Sequence, residues 1–352
     1  MLQTTHDWAV IGAGPAGIAA VGRLIDHGIQ ASNILWIDPY FTVGDFGRLW
    51  STVSSNTKVQ LFLDFLNASS AFNYSNAPMD FKLNHLPPDK TCLLSAMVEP
   101  LQWITTELIK KVHAEKGLIH NLELSERIWT LETDSSKYYA KNVILATGAI
   151  PLTRDYPDVK TILFEDAIDK SRLQTRIKQD DTIAVFGSSH SAMLIIKYLV
   201  DLGVKKIINF YRSPSRYAVD MGDWILFDNT GLKGETAEWA RIHIDGKWPK
   251  QLVRYTSIDV NIARYLPECD QAIYAVGFQQ RNAIILNDYE HNHYNPHVGI
   301  IGPVLFGLGI GYPEQKPDPF GRIEMQVGLW KFMSYLNKVL PIWLKDPIPL
   351  LC

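Results

Sequence analysis

A strand, a glycine-spaced turn and a helix follow one another at the start of the chain: Trp8-Ala9-Val10-Ile11, then Gly12-Ala13-Gly14-Pro15-Ala16-Gly17, then a helix-like run from Ile18 to Gly28. This order constrains the fold because each glycine has its own task. Gly12 permits the tight turn, Gly14 lets the backbone approach a diphosphate, and Gly17 lets the helix lie close to the strand. The helix N-terminus, with Pro15 and Ala16 at its start, then faces the phosphates. A second strand, Ile34-Leu35-Trp36-Ile37, ends in Asp38 about 20 residues after the last glycine, where a carboxylate can accept from an adenosine ribose. The pattern predicts a parallel βαβ unit holding a dinucleotide; a purely structural glycine turn is the plainer alternative.

The unit recurs in degenerate form. Asp181 to Phe186 is a strand, Gly187-Ser188-Ser189-His190-Ser191-Ala192 a turn, and Met193 to Leu202 a helix closed by Gly203. Ser189 and Ser191 occupy the second and third glycine positions, which suits an exchangeable ligand better than a permanently buried one. His190 can contact phosphate or shuttle a proton, or be only a polar helix-start residue. The following strand, Lys206 to Tyr211, runs into Arg212 and Ser213 where an NAD-type site carries an acid. A guanidinium there can pair with a 2′-phosphate, so NADPH is the expected donor; the alternative is an arginine capping a solvated strand end.

Composition excludes other classes. The 352 residues suffice for about two domains, and 34 Lys plus Arg against 37 Asp plus Glu leave no basic excess for nucleic acid. Cys92, Cys269 and Cys352 form no Cys-x-x-Cys, and the first two are expected to be packed thiols. His291, His293 and His297 lie in turn-like sequence around Pro296 without a spaced carboxylate or cysteine, so an exposed loop is expected and no metal. The apolar stretches from Ile300 and from Val339 fall short of the roughly 20 residues of a spanning helix. The glycine turn begins too early for a signal peptide, which makes the cytoplasm the expected location. Near the C-terminus, Ile323, Val327, Trp330 and Met333, with Leu336 or Tyr335, predict one apolar helical face.

The paired fingerprints, with Ala146-Thr147-Gly148 and Ala275-Val276-Gly277-Phe278, resemble the two-dinucleotide-binding-domain flavoproteins over nearly the whole chain. Gly47-Arg48-Leu49-Trp50, Asn56-Thr57-Lys58 and Asp64-Phe65 resemble the segment of flavin-containing monooxygenases that runs from Gly-Gly-x-Trp to Asn-Thr-x-Lys and Asp-Phe; Gly187 to Ala192 is similar to the Gly-Ser-Gly-Gln-Ser-Ala of N-hydroxylating relatives. The resemblance implies FAD and NADPH as cofactors, with Trp50 flanking the FAD and Asn56 beside the flavin's reactive face. It further implies Thr147, Gly148 and Gly309 near the FAD, and oxygenation of a small nucleophilic nitrogen, sulfur or carbonyl centre through a C4a-(hydro)peroxyflavin. Two departures keep rivals open. The monooxygenases' Phe-x-Gly-x-x-x-His is absent, Leu163 to Ile168 resembling the reductase branch, and Ile310 replaces the closing aspartate. An NAD(P)H oxidase or flavin-linked reductase, and a non-catalytic cofactor sensor, are the alternatives.

The expected architecture is therefore α/β: two Rossmann-like dinucleotide-binding domains, the second inserted in the first. The FAD-binding domain is expected at 1–153 and 268–352, the NAD(P)H-binding domain at 154–267, and the active site between them. The aromatic-rich segment 214–248 either covers that cleft or extends the second sheet. The expected partners are a small-molecule substrate and molecular oxygen, with a homodimer left open.

Overall fold

The computed structural model describes residues 4–154, 156, 158–287 and 289–345; Cys352 lies outside them. The chain forms two α/β units, one of residues 1–149 and 280–352, the other, inserted, of residues 150–279.

The first unit is built on a sheet in which Thr5–Ile11 lies parallel to Ile34–Asp38 on one side and to Lys137–Leu145 on the other; Leu305–Gly307 joins Lys137–Leu145, again in parallel. The alternation of side chains divides the central strands between two cores. Trp8, Val10 and Trp36 face the helices Pro15–Asp26, Ser95–Ile109 and Leu329–Trp343, whereas Ala9, Ile11, Leu35 and Ile37 face Trp129, Leu131 and Tyr312. Both faces being covered, every residue of Ile34–Asp38 is buried, and the strand reads as an unbroken apolar run rather than an alternating one. Among the described residues no helix is long and apolar enough to cross a membrane.

The second unit carries five parallel strands in the order Lys160–Ile162, Gln271–Tyr274, Thr182–Phe186, Lys206–Tyr211, Leu252–Thr256. Gln271–Tyr274 therefore belongs to this unit, because it pairs with Thr182–Phe186 along Ile183–Phe186. The return crossing falls after Gln279, not at the 267/268 boundary expected from the sequence, and the outward crossing after Ala149 rather than 153. Segment 214–248 adds no strand to this sheet. It forms the hairpin Val219–Asp220 with Ile225–Leu226 and the helix Gly234–Ala240, which packs on the helix His190–Asp201.

The C-terminal helix begins later than its apolar spacing suggested. Gly328, at φ 144°, breaks the chain before Leu329, so Ile323 lies in the strand Ile323–Gln326, and both it and Val327 face solvent. Trp330 is only partly buried, while Met333, Leu336 and Tyr335 reach the core as expected, joined by Val339, Leu340 and Trp343.

Among the described glycines the closest approach is at Gly17, where a Cβ would lie 1.9 Å from the Gly12 carbonyl oxygen. Gly17→Ala is expected to cost on the order of 2–3 kcal/mol by overpacking, read as a lowered midpoint in urea unfolding, with loss of FAD retention during gel filtration.

Candidate cofactor and active site

In the first unit the cradle is assembled from glycine contacts. Gly12 adopts φ 109°, and its Cβ position lies 2.4 Å from the Ala146 carbonyl oxygen, so the fingerprint turn abuts Ala146-Thr147-Gly148 directly. Gly309, at φ 92°, seats the returning chain on Ala16, and Gly311 seats it on the Gly148 carbonyl, with Cβ positions 2.7 and 2.4 Å from those groups. Gly12, Ala16, Gly17, Ala146, Gly148 and Gly309 thus converge from three distant stretches of sequence. Ile310, between the last two seats, packs against the apolar core instead of presenting a carboxylate.

Gly14 differs from its neighbours. A Cβ there meets nothing nearer than the Val43 carbonyl oxygen at 4.0 Å, so the space above the turn is open. The helix Pro15–Asp26 starts at this opening with no side-chain cap and no acidic residue in its first turn. An uncapped, acid-free helix start beside an open glycine fits the diphosphate of FAD. Asp38 is nearly buried and accepts from the N–H groups of Ala13 (2.7 Å), Tyr40 (2.8 Å) and Phe41 (2.7 Å). Of the roughly four acceptor positions of a carboxylate, about one remains for a ribose hydroxyl.

The remaining first-unit candidates are less tightly held. Trp50 is half-buried in a turn whose carbonyl accepts from Val53 N–H at 3.0 Å. Asn56 stands exposed on the strand Ser54–Lys58, its Oδ1 accepting from the Thr57 hydroxyl at 3.4 Å.

One pairing beneath the cradle escaped sequence reading. The buried Tyr312 hydroxyl hydrogen-bonds with His291 Nδ1 at 2.7 Å, while His291 Nε2 donates to the Ile284 carbonyl at 2.8 Å. His291 is therefore a structural hydrogen-bonding residue, half-buried instead of lying in a fully exposed loop, and no cluster of metal-ligating side chains occurs among the described residues. Burial holds the Tyr312 phenol well above its usual range, with the Gln280 and Thr147 side chains beside it pulling the other way. The local signal, a glycine at 307 making room for the Tyr312 ring, is visible only once the two are paired in space.

The second unit repeats the first. Gly187, at φ 126°, has its Cβ position 2.3 Å from the Ala275 carbonyl oxygen, as Gly12 does from Ala146. Gly12 N–H donates to the Ile37 carbonyl and Gly187 N–H to the Phe210 carbonyl; Trp36 Nε1 donates to the Gly12 carbonyl at 2.9 Å and Asn209 Nδ2 to the Gly187 carbonyl at 2.8 Å. This register makes Tyr211, not Arg212, the counterpart of Asp38. Arg212 lies one residue further on and is exposed, with Ser213 half-buried beside it.

At the turn, Ser188 and Ser191 are half-buried and Ser189, at the cap position of the helix, is exposed with no side-chain cap bond. His190 opens the helix with both ring nitrogens buried and without hydrogen-bond partners. Burial, assisted by repulsion from Lys233, pulls its pKa down to about 4. His190 is thus neutral at pH 7 and brings no charge of its own to a phosphate.

The profile of the pyridine nucleotide-disulphide oxidoreductase family matches residues 6–244. The chain belongs to that family. It is an FAD-dependent pyridine-nucleotide oxidoreductase. "Monooxygenase AgnR1" of Paecilomyces divaricatus is 33% identical over 95% of this chain and 97% of that protein. The solved ornithine N-hydroxylase of Kutzneria sp. 744 shares the fold at TM-score 0.67, with 13% identity over 97% of this chain and 99% of that one. The flavin-containing monooxygenase of Stenotrophomonas maltophilia does so at TM-score 0.62, with 12% identity over 97% and 99%. The family's dithiol chemistry has no basis in this sequence, which lacks a Cys-x-x-Cys; burial raises Cys92 and pushes Cys269 up to about 12, the reverse of an activated thiolate.

The His190 shift carries a sign that can be checked. With the folded pKa near 4 and the unfolded value near 6.5, the unfolded chain binds more protons between them, so stability is complete above about pH 6.5 and is lost as pH falls toward 4. The loss attributable to His190 is on the order of 3 kcal/mol. His190→Gln is expected to flatten the fall in melting temperature between pH 6.5 and 4.5, measured by differential scanning calorimetry without nucleotide.

Proposed function

We propose that this flavoenzyme is an NADPH-consuming monooxygenase acting on a small nucleophilic nitrogen, sulfur or carbonyl centre, with molecular oxygen as co-substrate and the cytoplasm as its setting. The observation that carries the reading is the similarity to a monooxygenase along nearly the full length of both chains. The sequence adds support, since electrons delivered to the flavin find no Cys-x-x-Cys to pass to. FAD, when bound, supplies hydride acceptance and oxygen activation. The chain's residues have simpler duties. Gly12, Gly14, Pro15, Ala16 and Gly17 receive the diphosphate, Asp38 ties that turn to its strand, and Thr147, Gly148 and Gly309 line the opening. Gly187 to Ser191 receive the nicotinamide dinucleotide in the second unit.

Asn56 is the proposed group at the reacting oxygen. Among the described residues its exposed amide is engaged only through Oδ1, and an amide can donate without a titration of its own. The rival reading, an NADPH oxidase that releases hydrogen peroxide, is favoured by the reductase-like stretch Leu163 to Ile168, which forms the short helix Phe164–Ala167. Stopped-flow absorbance after mixing NADPH-reduced enzyme with oxygen separates the two. A long-lived species unlike either oxidised or reduced flavin supports the monooxygenase; direct return to the oxidised spectrum with stoichiometric peroxide overturns it.

Asn56→Ala is expected to leave the rate of flavin reduction by NADPH unchanged and to lower the ratio of product to peroxide about fivefold, the worth of one hydrogen bond of about 1 kcal/mol. Product assay and peroxide assay on the same reaction check this, and unchanged coupling returns Asn56 to a structural role.

A further inference from the structure

In the second unit the residue that corresponds to Asp38 is Tyr211, and its ring is covered by a cation. The Arg254 guanidinium stacks over it with Cζ 4.6 Å from the ring centre. Arg254 lies on Leu252–Thr256, the strand paired in parallel with Lys206–Tyr211, where it registers with Asn209. Its Nε donates to Asn209 Oδ1 at 2.9 Å, and the fully buried Asn209 in turn donates to the carbonyls of Val185 and of Gly187, the first residue of the phosphate turn. The guanidinium is thus oriented by the same side chain that fixes the turn.

What this arrangement lacks is an anion. Arg254 Nη2 is buried without a hydrogen-bond partner, and among the described residues Arg254 forms no ion pair. Asp245 acts on it only at longer range; the other groups that face it are the phenols of Tyr211 and Tyr217, and Arg241 stacks on Tyr217 at 3.9 Å. Burial pulls the guanidinium pKa down, and the attraction of Tyr211, Asp245 and Tyr217 does not fully offset it. A half-buried cation held in a fixed orientation costs free energy unless a ligand completes it. An acid at Tyr211's position would read an unmodified ribose; a guanidinium held over that position reads a phosphorylated one.

We infer that Arg254, oriented by Asn209 and Tyr211, is the binding residue for the adenosine 2′-phosphate of NADPH and sets the preference for NADPH over NADH. This rests on the dinucleotide reading of the second unit and shifts the burden of selectivity from the exposed Arg212 to a guanidinium inside the fold.

The test uses the FAD-loaded enzyme and two fragments, 2′,5′-ADP and 5′-AMP, with binding measured by titration calorimetry. Wild type is expected to bind 2′,5′-ADP more tightly than 5′-AMP, and Arg254→Gln to weaken 2′,5′-ADP on the order of 10- to 100-fold while leaving 5′-AMP unchanged. Arg212→Ala is expected to have the smaller effect. Equal affinity of wild type for the two fragments overturns both the NADPH reading and this inference. Tighter binding of 2′,5′-ADP that survives Arg254→Gln, or that is lost only in Arg212→Ala, overturns the inference alone. Should Arg254→Gln not fold, Arg254→Lys keeps the charge and loses the planar fork: retained discrimination then counts against Arg254 as the bidentate partner, and a drop toward the 5′-AMP affinity supports it.

Discussion

The first unit depends on one carboxylate. Asp38 sits at the end of its strand and accepts from Ala13 in the glycine turn as well as from Tyr40 and Phe41 in the loop that follows. Without that acceptor, N–H groups of the fingerprint turn and of a loop containing two left-handed non-glycine residues, Phe41 and Val43, would be buried unpaired. Because the loop leads to Gly44, whose Cβ position is 2.9 Å from Gly14 Cα, the carboxylate also sets the wall facing the open space at Gly14. The acid commonly regarded as a ribose ligand is here first a piece of scaffold.

The second unit solves the same problem without an acid. Trp36 and Asn209 occupy equivalent positions and both donate to the carbonyl of the first fingerprint glycine, through an indole in one case and an amide in the other. The indole ends its role there. The amide has an oxygen to spare, and that oxygen holds Arg254. A change of one side chain at a shared position thus couples the phosphate turn to the neighbouring strand in one unit and not in the other.

How much of this was legible follows from whether the signal is local. The strands Ile34–Asp38 and Thr182–Phe186 showed as apolar runs because both faces of each sheet are covered, and the glycine spacing declared the turns. The unit boundary near 268 was illegible, since nothing in Gln271–Tyr274 itself says which of two sheets it joins. Ile323 and Val327 continued an apolar spacing across Gly328 that the backbone does not follow. His291 and Tyr312 are distant in sequence and meet through folding alone. One signal did stand in the text: Asn209 is a polar residue inside the buried run Ile207 to Phe210, and a buried amide must find partners.

The return of the chain to Ala16 bears on how the protein comes into being. Leu305–Gly307 must slot beside Lys137–Leu145, and Gly309 must reach the start of the first helix, before the cradle around the fingerprint turn is closed. During synthesis the inserted unit emerges whole while Lys137–Leu145 still awaits Leu305–Gly307, so the second sheet has all its strands before the first does. Until that strand arrives the Val143–Leu145 end of its neighbour lacks a partner on one side, and the cradle stays open toward the place that Gly309 and Gly311 will take.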